Sequence, residues 1–214
     1  MAKRRKVNNL LGLAVLATVV QRPMHPYEMA SVLRARGKED DMEIKWGSFY
    51  TVVQNLAKHG FMEAVDSTRE GARPERTVYR ITDAGRAELV DWVRELVSTP
   101  QPEHPRFKAG LSVIAALSPE ETETLLRQRL DAVERANAAL RESLARHARD
   151  VPRLFLIEDE YELAVRDAEE SWIRALLDEL TSGSFPGLAA WRDWHNTGEV
   201  PAELAELAER GSTR

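Results

Sequence analysis

The sequence predicts a mainly α-helical chain with one small β wing, organised as an N-terminal winged helix-turn-helix domain and a C-terminal long-helix dimerisation domain. Three observations carry that prediction. A short amphipathic stretch ending at Gly60 leads directly into two β-branched and aromatic runs joined by a polar, Arg-studded turn. That is the layout of a recognition helix followed by a wing. A Pro-rich stretch from Pro100 to Pro105 then interrupts the chain, and beyond it an apolar seven-residue repeat runs from Leu126 to Val151.

Residues 10–21 are apolar on nearly every side, as expected of a helix clamped in a small core, and Arg22-Pro23 ends it. His25-Pro26-Tyr27-Glu28 opens the second helix with Pro26 in its first turn, and Met29, Ala30 and Leu33 form an apolar face until Gly37. Residues 38–45 are charged and read as a loop. The third helix spans residues 48–59 and stops at Gly60, a left-handed terminator. Residues 61–67 and 77–81 read as strands separated by Gly71 and Pro74. Thr82-Asp83 caps a fourth helix through Ala87, Leu89, Val90, Val93 and Leu96, which closes a first domain over residues 1–99.

Past the prolines, residues 107–117 form a short apolar helix. Ser118-Pro119-Glu120-Glu121 is a capping box with proline in the first turn. The helix it starts carries Leu126, Leu130, Val133, Asn137, Leu140, Leu144, His147 and Val151 in alternating steps of four and three, a coiled-coil seam that Pro152 breaks. A second long helix over residues 154–180 is expected to bury Ile157, Tyr161, Val165, Ala168, Trp172 and Leu176 on one stripe. Residues 104–181 thus form a second domain. Residues 182–214, with Phe185-Pro186-Gly187, Trp191 and Trp194, read as a loosely attached tail.

At 214 residues, 43% hydrophobic and 30% charged, the chain has the composition of a soluble globular protein with a sizeable core. The absence of cysteine excludes a disulfide framework and thiolate chemistry, and fits the cytoplasm. The net charge of −5 is uneven: 16 basic against 13 acidic residues up to Glu95, and 14 against 22 after it. Lys3-Arg4-Arg5-Lys6 followed by the apolar residues 10–20 resembles a secretory leader. Gln21-Arg22-Pro23 offers no cleavage site, however, and the run is too short to span a bilayer. A buried first helix with a basic arm explains the same letters. The arm either contacts phosphates in a neighbouring groove or is a solvated tail.

On the third helix Phe49, Val52, Val53 and Leu56 fall on one side, and Tyr50, Thr51, Gln54, Asn55 and Lys58 mainly on the other, with Ser48 at its start. Hydroxyl and amide side chains donate and accept without a fixed charge, which is what base edges and phosphates require. Arg69, Arg73 and Arg76 in the wing suit a phosphate backbone. No catalytic constellation emerges. His25, His59, His104, His147 and His195 lack metal-ligand spacing, Glu158-Asp159-Glu160 reads as a solvated helix face, and no phosphate loop or nucleophile elbow is present. No enzyme and no cofactor are expected.

His25-Pro26-Tyr27-Glu28-Met29, Trp46-Gly47-Ser48-Phe49-Tyr50, Leu56 with His59-Gly60-Phe61-Met62, and Tyr79-Arg80-Ile81-Thr82-Asp83-Ala84-Gly85 resemble the signature blocks of PadR-like transcriptional regulators. The resemblance covers residues 8–99, and the two long helices match the family's longer-tailed branch in layout. It implies a winged helix-turn-helix followed by a helical dimerisation domain, and response to planar aromatic compounds or drugs. The family usually has Gly where Pro26 stands and Pro where Thr51 stands, so base preference is expected to differ. Carried over, Tyr27 either reaches a phosphate or is a core tyrosine, and Tyr79 reads as core.

The seam packs either on the neighbouring helix of the same chain or on a second copy; Asn137 favours the second, because a buried Asn fixes register when it pairs with a polar group, and a two-fold partner supplies an identical one. Leu126, Leu130, Val133, Asn137, Leu140, Leu144, Ile157, Tyr161 and Val165 are therefore the expected dimerisation residues. Trp92, Phe107, Tyr161 and Trp172 are the expected lining of a cleft for a small aromatic effector. The reading is a cytoplasmic homodimeric repressor of double-stranded operator DNA, with no membrane contact. An all-helical adaptor whose winged helix binds protein is the alternative.

Overall fold

Asn9 starts the first helix, α1 (Leu10–Val19), by accepting the Leu11 N–H on its side-chain oxygen at 2.9 Å. The computed structural model describes residues 5–38, 42, 44–68 and 76–201, without the side chains of 66–68 and 76. Leu11, Leu13, Ala14, Val15, Leu16 and Val19 are all buried, so α1 is the central rod of the head. α2 (Pro26–Ala35) begins with Pro26 at its first position, where a missing N–H costs nothing, and with His25 Nδ1 accepting the Tyr27 N–H at 3.1 Å. Met29, Ala30 and Leu33 are its buried face.

A short 3₁₀ turn (Trp46–Ser48) turns into α3 (Phe49–Lys58). Phe49, Val52, Val53 and Leu56 sink into the core, each burial worth roughly 1.5–3 kcal/mol. Gly60, at φ +76°, ends α3 in the left-handed region and aims the chain into β1 (Met62–Thr68). β1 pairs antiparallel with β2 (Arg76–Ile81) from Met62↔Ile81 to Thr68↔Arg76, with an irregularity between Ala64 and Asp66. Met24 extends this hairpin by exchanging both backbone hydrogen bonds with Tyr79 at 3.0 Å. Tyr79 is half-buried and packs against the core, as the sequence led one to expect.

α4 (Asp83–Ser98) starts where Thr82 accepts the Gly85 N–H at 3.0 Å and gives its hydroxyl to Gly60 O at 2.6 Å. This ties the helix start to the end of α3. Trp92 of α4 is 3% exposed, with the Arg5 guanidinium 5.2 Å from its ring centre. Arg5 also donates to Glu88 at 2.6 Å and to Glu95. The two readings of the basic arm are therefore corrected at this residue. Arg5 is neither solvated nor free for phosphate, because acidic residues of α4 hold it buried. Lys3 and Arg4 lie outside the described residues.

The chain divides into two compact units at Glu103 and His104. In the second, the expected helix over residues 107–117 is broken into α5 (Arg106–Leu111) and a 3₁₀ turn (Ile114–Ala116). α6 (Pro119–His147) begins with Ser118 Oγ accepting the Glu121 N–H at 3.1 Å. After a 3₁₀ turn (Arg153–Phe155) comes α7 (Ile157–Ser182), which ends at Gly183 with φ +78°. α6 and α7 pack as an antiparallel pair. Arg174 meets Glu134 at 2.6 Å, Asn137 meets Glu170 at 2.7 Å, and Arg141 reaches Asp167.

Two expectations change here. Asn137 is fully buried, and its amide N–H groups donate within the chain, to Glu170 and to Asp167 at 3.1 Å, while its Oδ1 has no partner among the described residues. Those bonds, Asn137 first and Arg174 second, hold the Glu170 carboxyl below the usual glutamate range. The α7 stripe is also reversed. Ile157, Tyr161, Val165, Ala168 and Trp172 are exposed and Leu176 half-buried, whereas Ile173, Leu177 and Leu180 form the buried face. Hydrophobicity marked a face in need of cover, and within the chain α6 covers a different one.

The tail is also corrected. α8 (Leu188–Thr197) buries Leu188 in one cluster with Leu126, Ile173, Leu177 and Leu180. Trp191 donates its indole N–H to Leu117 O at 2.9 Å, and Arg192 donates to Glu120 at 2.8 Å. Residues 202–214 lie outside the described residues.

Candidate nucleic-acid interface

The burial of Phe49, Val52, Val53 and Leu56 fixes the rotation of α3, and the opposite face follows from it. Tyr50, Thr51, Gln54, Asn55 and Lys58 are all exposed along that face. No side-chain hydrogen bond occupies Thr51, Gln54, Asn55 or Lys58 among the described residues, so their donors and acceptors are open to a partner. Tyr50 stands edge-on to Phe49, with ring centres 5.7 Å apart, which props its hydroxyl outward. Ser48 is committed differently: its hydroxyl donates to Lys45 O at 2.9 Å, shaping the turn into the helix.

Tyr27, left open between phosphate contact and core, is 68% exposed on the first turn of α2, so the core reading falls. The turn before α3 is braced by Arg34, whose guanidinium lies 4.0 Å from the Trp46 ring centre. Sequence reasoning missed that brace, although an Arg on α2 and a Trp ahead of α3 were its visible signal. In the wing, Arg80 pairs across the strands with Glu63, donating from Nε at 3.1 Å. Arg69 and Arg73 lie outside the described residues. Arg76 is placed by its backbone at the start of β2, and its side chain lies outside the description.

The four aromatic residues expected to line an effector cleft are placed differently from one another. Trp92 is used up beside Arg5 in the head. Tyr161 is 72% exposed on α7. Phe107 and Trp172 do meet, ring centres 6.1 Å apart and planes at 80°. Among the described residues no group of acidic or histidine side chains could hold a metal ion, and no helix is long and apolar enough to cross a membrane.

The pairing of an exposed polar helix with a two-stranded hairpin is shared with known proteins. The transcriptional regulator PadR-like family matches over residues 15–91, from the second half of α1 into the middle of α4. Bacillus subtilis PadR in complex with operator DNA superposes with a TM-score of 0.66 at 20% identity, over 80% of this chain and 99% of that one. The same protein in complex with p-coumaric acid gives 0.68 at 18% identity, over 81% and 99%. The Vibrio cholerae virulence activator AphA gives 0.59 at 20% identity, over 80% and 98%. At these identities the structures establish a shared fold. No curated protein sequence matches the chain. The match over residues 15–91, on a winged-helix head built as described, makes that part of the chain similar to the transcriptional regulator PadR-like family.

Proposed function

We propose that the chain is a cytoplasmic, homodimeric, ligand-responsive repressor whose two heads grip a near-palindromic operator. The observation that carries this reading is the unoccupied polar face of α3, set by a buried opposite face and followed at once by the wing. In such a complex Gln54 and Asn55 read base edges from the major groove, and Lys58, Tyr27 and Tyr50 meet phosphates. Arg69, Arg73 and Arg76 complete the phosphate contacts from the wing. Two-fold symmetry sets the half-sites about one helical turn, roughly 34 Å, apart.

The dimer rests on the exposed stripe Ile157, Tyr161, Val165 and Trp172, with Leu154 and Phe155 exposed just upstream. Steps of four, four and seven put these α7 residues on one helical face. A contiguous apolar face of this kind marks an interaction surface, and a second copy offers an identical, self-complementary face. Of the seam residues, Leu126, Leu130 and Asn137 are engaged within the chain, while Val133, Leu140 and Leu144 are half-buried beside α7 and border the interface. Operator DNA and a small molecule bound to Bacillus subtilis PadR support the same two partners here.

The test is a mobility shift with DNA from upstream of the chain's own gene, together with a reporter driven by that DNA. The expected result is a salt-sensitive shift that random duplex of equal length does not compete away, and reporter output that rises when the chain is deleted. A shift equal on both duplexes would favour the adaptor alternative, and output that falls on deletion would make the chain an activator.

A further inference from the structure

α3 starts without a side-chain cap. α1, α2 and α4 each open with a side chain that accepts a first-turn N–H, whereas no side chain does so for α3. Ser48 stands at the capping position, but its hydroxyl is turned back to Lys45 O at 2.9 Å. A helix start without a cap is loosened, and this one leads into the residues proposed above to face DNA. Rings stand where the cap is missing. The Trp46 ring centre lies 5.7 Å from that of Phe49, which is buried, and Tyr50 stands at 89° against Phe49 at the same distance.

Arg34 closes this line from α2, with its guanidinium 4.0 Å from the Trp46 ring centre. Arg5 and Arg129 also lie over rings, and carboxylates hold both: Glu88 and Glu95 the first, Glu169 the second. The Arg34 side chain is different. It is exposed and makes no hydrogen bond or ion pair among the described residues, so the ring alone holds it. A planar guanidinium stacks on an aromatic face, and the compact ammonium of lysine does not do so in the same way.

We infer that Arg34 is a positioning residue for base reading: stacked on Trp46, it sets the first turn of α3 through Trp46 and Phe49. Gln54 and Asn55 follow on the next turn of the same helix. A start that tilts carries their amides off base edges, which require placement within about 0.5 Å. Phosphate contacts tolerate such a shift better. The DNA part of this inference rests on the proposed function, whereas the placement of Tyr50 in the free protein does not.

Arg34→Lys keeps the charge and removes the flat stack, and at an exposed position it should leave the melting midpoint unchanged. Fluorine spectra of the full chain labelled with 3-fluorotyrosine read the free protein, with the Tyr50 signal assigned by its loss in Tyr50→Phe. That signal should move in Arg34→Lys and stay in Arg36→Gln, since the Arg36 guanidinium is bonded to Gln21 at 3.0 Å instead. In anisotropy titrations Arg34→Lys should weaken the operator about fivefold and a random duplex about twofold at most, with the salt slope unchanged. Trp46→Phe keeps a ring face and should stay within about twofold of wild type on the operator. Trp46→Leu should lose as much as Arg34→Lys, and the double variant no more than either. An unmoved Tyr50 signal overturns the inference whether or not DNA binds. Equal weakening on both duplexes, the mark of a phosphate contact, overturns it too, as do additive losses in the double variant. A wild type without operator preference sinks the proposed function and leaves the Tyr50 signal to decide on Arg34.

Discussion

Gly85→Ala should strongly destabilise the head. A Cβ on Gly85 would stand 2.0 Å from the backbone oxygen of Phe61, 2.9 Å from its carbonyl carbon and 2.8 Å from Ile81. Backbone cannot swing aside as a side chain can. The same Phe61 oxygen accepts the Thr82 N–H at 3.1 Å, so any shift also disturbs the start of α4. The helix would have to lift off the α3–β1 junction, taking the Thr82 cap and its bond to Gly60 with it. Overpacking against so rigid a neighbour costs about 3 kcal/mol or more, which for a head of this size lowers the melting midpoint by about 12 °C or more. Gly47→Ala is the control. Nothing lies within 4 Å of a Cβ there, and its midpoint should stay with the wild type.

Tyr161→Asp with Val165→Asp should separate the protomers without unfolding them. Both residues are exposed on α7, away from Ile173, Leu177 and Leu180, so a single chain loses little packing. In the proposed dimer the pair occurs twice across a two-fold axis, and buried unpaired carboxylates face apolar surface. The dimer should weaken by about 3 kcal/mol or more, roughly two orders of magnitude. Operator affinity should fall with it, since two tethered heads outbind one by about 10²–10⁴. Sedimentation velocity at micromolar concentration checks the first effect and operator titration the second. A variant that sediments like the wild type would remove the α7 stripe from the interface.

The head was legible in the sequence because each of its elements carries its own punctuation. Pro26, Gly60 and Thr82 act locally, and the pattern Phe49, Val52, Val53, Leu56 fixes the rotation of α3 without reference to any partner. The C-terminal unit was less legible because its faces are set by pairing. On α7 the buried face contains Glu170, tolerable only because Asn137 and Arg174 satisfy it, and no periodicity count reveals that. Asn137 reads as a buried residue that a polar group must answer, but its position does not say from which chain; Glu170 and Asp167 answer its N–H groups, and its Oδ1 has no partner among the described residues. α8 did leave a signal: Gly187 and Gly198, at φ +80° and +76°, bracket Leu188 and Trp191 like any helix with stops. Arg5 was grouped with a basic arm, and the acidic Glu88 and Glu95 that claim it lie too far along the chain for local reading.

The central claim is that the exposed face of α3 reads bases. Its most direct measurement is an anisotropy titration of wild type, Gln54→Ala and Asn55→Ala against the operator and a random duplex, at two salt concentrations. The account predicts a loss of about 1–3 kcal/mol on the operator and little on random DNA, with the salt slope unchanged because neither side chain neutralises a phosphate. Equal losses on both duplexes, or none on either, would contradict the assignment of α3 as the recognition helix.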